Sequence, residues 1–195
     1  MIIVLVGASG SGKSTIERWL HSHCKYQKII SYTTREPREN EVNGKDYWFI
    51  SNEEFRTKIE QGFFAEYEEY SQNRLYGTPK EEYSSGNKVV VLTPGGLRQL
   101  KKKFCFKTNI VSFYINTNLG NRIIRYINRC GIDKFNFSDK NEIANRVERD
   151  YTMFMGIESE VNYVIDGNYE KTDMIDSVLE KIKLKEKDNE NSLFS

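Results

Sequence analysis

The stretch Gly7-Ala8-Ser9-Gly10-Ser11-Gly12-Lys13-Ser14 constrains this chain more than any other. It follows Ile2–Val6, a continuous apolar run, and precedes a segment with helical spacing from about Ser14 to His23. A short β-branched run that stops at a glycine reads as a buried parallel strand. Glycines let backbone N–H groups curl around an anion, and the helix that starts there turns its positive end toward it. In the pattern G-x-x-x-x-G-K-[ST], the lysine reaches the β- and γ-phosphates and the hydroxyl after it ligates Mg²⁺. Gly7, Ala8, Ser9, Gly10, Ser11, Gly12, Lys13, Ser14 and Thr15 are therefore the expected ATP-binding segment, with Lys13 catalytic and Ser14 on the metal. The cradle implies a nucleoside triphosphate donor and leaves the acceptor open.

The remaining pattern builds an α/β fold around that loop. Val89–Leu92 is a second fully apolar run, hence a central strand, and Ile110–Ile115 is another. Short strands are also expected at Lys28–Tyr32, Tyr47–Ile50 and Tyr163–Ile165. Helices are expected from Ser51 to about Gln61, opened by the capping pattern Ser51-Asn52-Glu53-Glu54, then after Pro94-Gly95-Gly96, over Leu119–Cys130, from about Asn141 to Phe154, and over Thr172–Lys183. Strands and helices alternate at both ends of the chain, which argues for a parallel sheet covered on both faces, a three-layer α/β/α arrangement. Residues 31 to 84 break the alternation and read as an inserted small α+β lobe. The expectation is one domain over 1–184: a core of about 1–30, 85–116 and 156–184, the lobe, a helical lid at about 117–155, and a disordered tail over 185–195, which is charged and Asn-rich.

Composition excludes several classes. Net charge is +1 over 195 residues, so no global field marks a nucleic-acid or membrane binder. The three cysteines, Cys24, Cys105 and Cys130, contain no C-x-x-C pair and suggest neither a disulfide scaffold nor a zinc site. No run approaches the length of a membrane helix, and Ile2–Val6 is too short for a signal peptide's apolar region. The expectation is a cytoplasmic monomer or weak homodimer without nucleic-acid or membrane partners.

The acceptor is read from Ser31-Tyr32-Thr33-Thr34-Arg35-Glu36-Pro37-Arg38, continuing to Glu41-Val42-Asn43-Gly44-Lys45-Asp46-Tyr47. Two arginines held apart by a rigidifying proline can present two guanidinium forks to one phosphate. Alone, such a pair would read as solvated surface charge. This string closely resembles the acceptor-binding motif of guanylate kinases. In the same register the resemblance takes in the phosphate cradle, Phe64-Ala65-Glu66, Tyr76-Gly77-Thr78 and an arginine-rich lid, from residue 1 to about 183. It implies an enzyme that moves the γ-phosphoryl of ATP onto GMP or dGMP with Mg²⁺. It implies that Arg35, Arg38, Tyr47 and Tyr76 hold the acceptor phosphate. It places Glu66 on guanine N1–H and N2–H₂, with Ser31 and Thr78 as hydroxyl partners. A site built on such hydrogen bonds rejects analogues that leave it unpaired.

On the lid, Arg122, Arg125 and Arg129 recur at helical spacing, with Leu119, Ile123 and Ile127 broadly opposite and expected to be buried. Arg146 and Arg149 repeat the theme on the next helix. The resemblance implies that Arg125, Arg129 and Arg146 act catalytically on the ATP phosphates. Arg122 and Arg149 read more simply as a solvated basic face. The Gly131–Lys140 stretch follows the family's acidic lid sequence poorly.

One departure stands out. Where guanylate kinases usually carry two aspartates after the central strand, this chain has Val91 and Thr93. Those acids support the Mg²⁺ shell and the guanine amino group, so looser base selection or slower turnover is expected. The alternatives are a nucleoside or deoxynucleoside monophosphate kinase of broader acceptor range, a ribose-bisphosphate kinase of similar fold, and a catalytically inactive guanylate-kinase-like module. Intact Lys13 and Ser14 weigh against the last; Ser31, Glu66 and Thr78 favour a guanine acceptor.

Overall fold

The computed structural model describes residues 1–71, 73–104, 109–131 and 137–192. Its strands are β1 (Ile2–Val6), β2 (Gln27–Lys28), β3 (Tyr32–Thr33), β4 (Trp48–Phe49), β5 (Phe64–Ser71), β6 (Arg74–Pro79), β7 (Lys88–Leu92), β8 (Ile110–Asn116) and β9 (Tyr163–Asp166). Its helices are α1 (Lys13–His23), α2 (Asn52–Glu60), α3 (Pro94–Phe104), α4 (Leu119–Cys130), α5 (Phe137–Met153) and α6 (Lys171–Ser192). A five-stranded sheet runs β2-β7-β1-β8-β9, and a four-stranded sheet runs β4-β3-β6-β5. In the first, β2 pairs with β7 and β8 with β9, both parallel. All of β1 is buried, as a strand covered on both faces requires. The chain divides into two compact units, Met1–Val4 with Leu20–Val111, and Leu5–Trp19 with Ser112–Ser195.

In the Leu20–Val111 unit, Phe55, Phe64 and Leu75 form a core cluster with Tyr32, Ile50, Ile59 and Phe63 packed against it. Much of the aromatic content of the chain goes here. Phe55 stacks on Phe64 at 4.5 Å between ring centroids, and Tyr32 meets Phe63 edge-on at 5.3 Å. Ser51 caps α2 as expected, its hydroxyl accepting from Glu54 N. Strand β5 is an outer strand of its sheet, and α3 covers it. The Gln99 amide bonds both the N–H and the C=O of Tyr67, and Lys103 Nζ donates to Phe64 O and Ala65 O. Side chains thus take up backbone groups that a neighbouring strand would otherwise satisfy.

Four expectations change. The run Lys28–Tyr32 is not one strand: β2 ends at Lys28 and β3 begins at Tyr32, in different sheets. Strand β6 had no periodic signal because Gly77 and Pro79 interrupt it, and its antiparallel pairing with β3 and β5 supplies what propensity lacks. Pro94-Gly95-Gly96 does not precede α3 but forms its first turn, with Pro94 in the position where a missing N–H costs nothing. Helix α6 continues to Ser192, so residues 185–192 are helical and not a disordered tail; Lys and Glu, which recur there, are good helix formers. Cys105, residues 132–136 of the poorly matching lid stretch, and residues 193–195 lie outside the described residues.

Candidate functional site

The phosphate cradle belongs to the Leu5–Trp19 and Ser112–Ser195 unit. Gly10 and Gly12 have φ of +81° and +105°, which side chains other than glycine rarely adopt. A Cβ on Gly10 would also lie 2.9 Å from Arg122 O. The turn is held from below by Thr117, whose buried hydroxyl donates to Ser11 O. Lys13 Nζ reaches back into the loop, donating to Gly7 O at 2.5 Å and Ala8 O at 2.9 Å. Burial lowers its pKa to about 8; Arg122 and Arg129 push the same way, and Asp150 and Glu17 oppose.

The lid arginines gather on this loop. Arg125 donates to Gly10 O, Ser11 O and Gly167 O. Arg146 Nη1 donates to Ser9 Oγ at 2.9 Å. Arg129 and Arg146 each lie 5.3 Å from the centre of the Tyr126 ring, and that ring is buried. A cleft of about 550 Å³ is lined by Gly10–Thr15, Arg125, Arg129 and the Asn168–Lys171 segment that opens α6. Lys13, Arg125, Arg129 and Arg146 therefore come to one loop. Ser14 is exposed in the first turn of α1.

Two expectations about the lid are corrected. Arg122 is not a solvated surface charge. It is largely buried, ion-paired with Asp150, and donates to Ser9 O. Asp150, 2% exposed, also accepts from Ser9 N. A charge so desolvated persists only when paired and hydrogen-bonded. Asp150 was missed in the sequence; its position four residues after Arg146, on the same helix face, was the available signal. Leu119 is exposed, whereas Tyr126, which was not singled out, is buried. Asn118 fixes the start of α4, its side chain accepting from Asn121 N.

The residues expected to hold the acceptor belong to the other unit. Glu41 takes both forks of Arg35, at 2.8 and 2.9 Å, and also the Arg38 N–H. Burial pulls the Glu41 carboxyl up, but these donors bring it below its ordinary value. The Arg35 guanidinium lies over the Tyr47 ring at 5.3 Å and interacts electrostatically with Tyr76, and the two tyrosine rings meet at 6.0 Å. Arg38 is 51% exposed, against 9% for Arg35. Glu41 thus orients both arginines, the buried Arg35 through two hydrogen bonds and the more exposed Arg38 through an ion pair at 3.5 Å; the motif contained Glu41, but its chemistry alone did not single it out. Thr33 and Thr34 anchor the loop: the Thr33 hydroxyl accepts from Arg35 N, and Thr34 bonds Asn73 O and Leu75 N.

Glu66 is buried on β5, and Thr78, its partner in register on β6, donates to it at 2.7 Å. The Thr78 hydroxyl also meets Tyr83 OH at 2.7 Å. Its one proton goes to the carboxylate, so Tyr83 donates to Thr78. Burial pushes Glu66 up to about 7; Glu68 adds to the shift, and Thr78 and Lys103 oppose it. Ser31 immediately precedes the Tyr32–Gly77 pair, which sets it beside Thr78 in the ladder.

An anion cradle between a buried parallel strand and a helix, on an α/β sheet, defines a P-loop nucleotide-binding protein. The chain belongs to the guanylate kinase family, whose model matches residues 1–183. It is 35% identical over 190 residues to the guanylate kinase of Caldanaerobacter subterraneus subsp. tengcongensis, spanning 94% of this chain and 84% of that one. The match to the guanylate kinase of Lactobacillus delbrueckii subsp. bulgaricus is 40% identical over 110 residues, about half (53%) of each chain. The solved guanylate kinase of Anaplasma phagocytophilum shares the fold, with a TM-score of 0.72 at 21% identity over 94% of this chain and 85% of that one.

Proposed function

We propose that this chain transfers the γ-phosphoryl of ATP to GMP or dGMP, releasing ADP and GDP or dGDP. The observation that carries the reading is Glu66, a buried carboxylate oriented by Thr78 in the same unit as the Arg35–Glu41–Tyr47–Tyr76 clamp. Guanine presents adjacent N1–H and N2–H₂ donors, which a carboxylate accepts together. Adenine places a lone pair at N1 and is repelled.

Each residue group has one task. The cradle amides and Lys13 bind the β- and γ-phosphates. Arg125, Arg129 and Arg146 offset the charge spread over the transferred oxygens, a job of positioning and electrostatics. Arg35 and Arg38 take the acceptor phosphate, Tyr47 and Tyr76 add hydroxyl donors, and Ser31, Glu66 and Thr78 read the base. The exposed Ser14 hydroxyl suits a hard cation. Mg²⁺ would be held by Ser14, phosphate oxygens and water. Bound there, it would neutralise phosphate charge. A coupled ADP-release assay across GMP, dGMP, IMP, AMP, CMP and TMP tests the reading. GMP and dGMP should give the highest kcat/KM; a better AMP, CMP or TMP overturns it.

A further inference from the structure

Thr93 stands where the sequence leads one to expect an acid beside the base, and its surroundings restore one. Its hydroxyl accepts from Gly96 N, capping α3, and donates to Glu68. Glu66 and Glu68 are two residues apart on β5, so both project from the same face. Both reach the first turn of α3. A Cβ on Gly95 would lie 2.4–2.7 Å from the Glu68 carboxyl group, and one on Gly96 would lie 2.5 Å from Glu66 Oε2. The two glycines make room for two carboxylates, side by side, where any side chain would displace them.

Two adjacent carboxylates repel unless donors come between them. One Glu66 oxygen is already occupied by Thr78. Guanine carries N1–H and two N–H bonds on its 2-amino group, and the two amino hydrogens diverge, so one carboxylate cannot accept all three in good geometry. Resting on the guanine reading above, we propose that Glu68, held by the Thr93 hydroxyl, is a second base-selecting carboxylate, accepting from the 2-amino group. The missing aspartate is thereby replaced from β5, a strand of the other sheet, and the favoured substrates are 2-aminopurine-type monophosphates. On this proposal Glu68 offsets the looser base selection that Val91 and Thr93 suggest, and IMP, which lacks the 2-amino group, is a poor acceptor.

The test is the ratio of kcat/KM for GMP to that for IMP in wild type, Glu68→Gln, Glu68→Ala and Thr93→Val. Glu68→Gln keeps the size and an acceptor for Thr93, so a purely structural tie survives it. The expected result is a drop in the GMP/IMP ratio of at least about 10-fold in both Glu68 variants, the scale of one hydrogen bond to a charged group, with a smaller drop in Thr93→Val and an unchanged KM for ATP. An unchanged ratio, or equal losses for GMP and IMP, overturns the role of Glu68 while leaving the guanine reading in place. No GMP turnover by wild type overturns both.

Discussion

In the unit that holds the phosphate cradle, the decisive charges are cations resting on backbone carbonyls: Lys13 on Gly7 and Ala8, Arg125 on Gly10, Ser11 and Gly167. In the unit that holds the acceptor residues, they are carboxylates resting on hydroxyls: Glu66 on Thr78, Glu68 on Thr93. Burial shifts Lys13 and Glu66 in opposite directions, Lys13 down to about 8 and Glu66 up to about 7. A phosphate looks much the same from every side, so backbone amides and flexible cations suffice. A base must be told from other bases, which takes acceptors fixed in place. On the proposed reading the chain puts its phosphate chemistry on a glycine loop and its base-selecting chemistry on paired strands.

Lys13→Ala should have the largest effect, a fall in kcat of at least about 100-fold, the scale of losing one transition-state electrostatic contact. KM for GMP should move little, because the lysine's partners all belong to the cradle unit. Activity within a few-fold of wild type would mean that the cradle amides alone carry the phosphate. Arg38→Ala should come next and act on the other side of the comparison. KM for GMP should rise roughly 10- to 100-fold, as expected for lost charge-assisted hydrogen bonds, with KM for ATP unchanged. Equal damage to both substrates, with circular dichroism intact, would remove the distinction between the two regions.

How much of this was legible differs between the regions for a physical reason. The cradle is local: strand, glycines, lysine and helix are contiguous, so spacing alone declares it. Arg35, Arg38 and Tyr47 were legible because a loop motif also keeps its parts close in sequence. The partners that orient these groups are distant. Asp150 reaches Ser9 from 141 residues away, and Thr93 reaches Glu68 from 25. No periodicity reports such pairs, because only the fold brings them together. Arg122 was misread for the same reason: a helix face carrying three arginines looks solvated until the acid from another helix is in place. Strand β6 was missed because its stability comes from its two partners and not from its residues.

The pH dependence sharpens the comparison on a scale of about 10-fold. On the proposed reading guanine needs Glu66 ionised. With its pKa near 7, the ionised fraction rises about 10-fold between pH 6 and pH 8, and kcat/KM for GMP should follow. The cradle should respond in the other sense: kcat/KM for ATP should fall above about pH 8 as Lys13 loses its proton. In Glu66→Gln the acidic limb should vanish while the ATP limb stays. A GMP profile that keeps its acidic limb in Glu66→Gln would assign that limb to the substrate phosphate instead.

The smallest expected effect is on stability, and it runs against intuition. Burial raises the folded-state pKa of Glu66 from 4.5 to about 7. Between those values the folded state holds a proton that the unfolded state has released. The contribution of Glu66 is therefore fully present below about pH 4.5 and is lost as pH rises through about 7. Glutamine carries no such charge at any pH. Glu66→Gln should match wild type near pH 5 and be more stable at pH 8, by on the order of 2 kcal/mol, or about 4–8 °C in Tm for a chain of this length. Saturating GMP should reverse the order at pH 8, because ligand that binds only the folded state stabilises it in proportion to its affinity, and wild type binds more tightly. Thermal melts of both proteins at pH 5 and pH 8, with and without GMP, give the answer. If Glu66→Gln is less stable by the same margin at both pH values, the Glu66 charge is not a desolvated one, and the carboxylate is there to hold strand to strand, not to read a base.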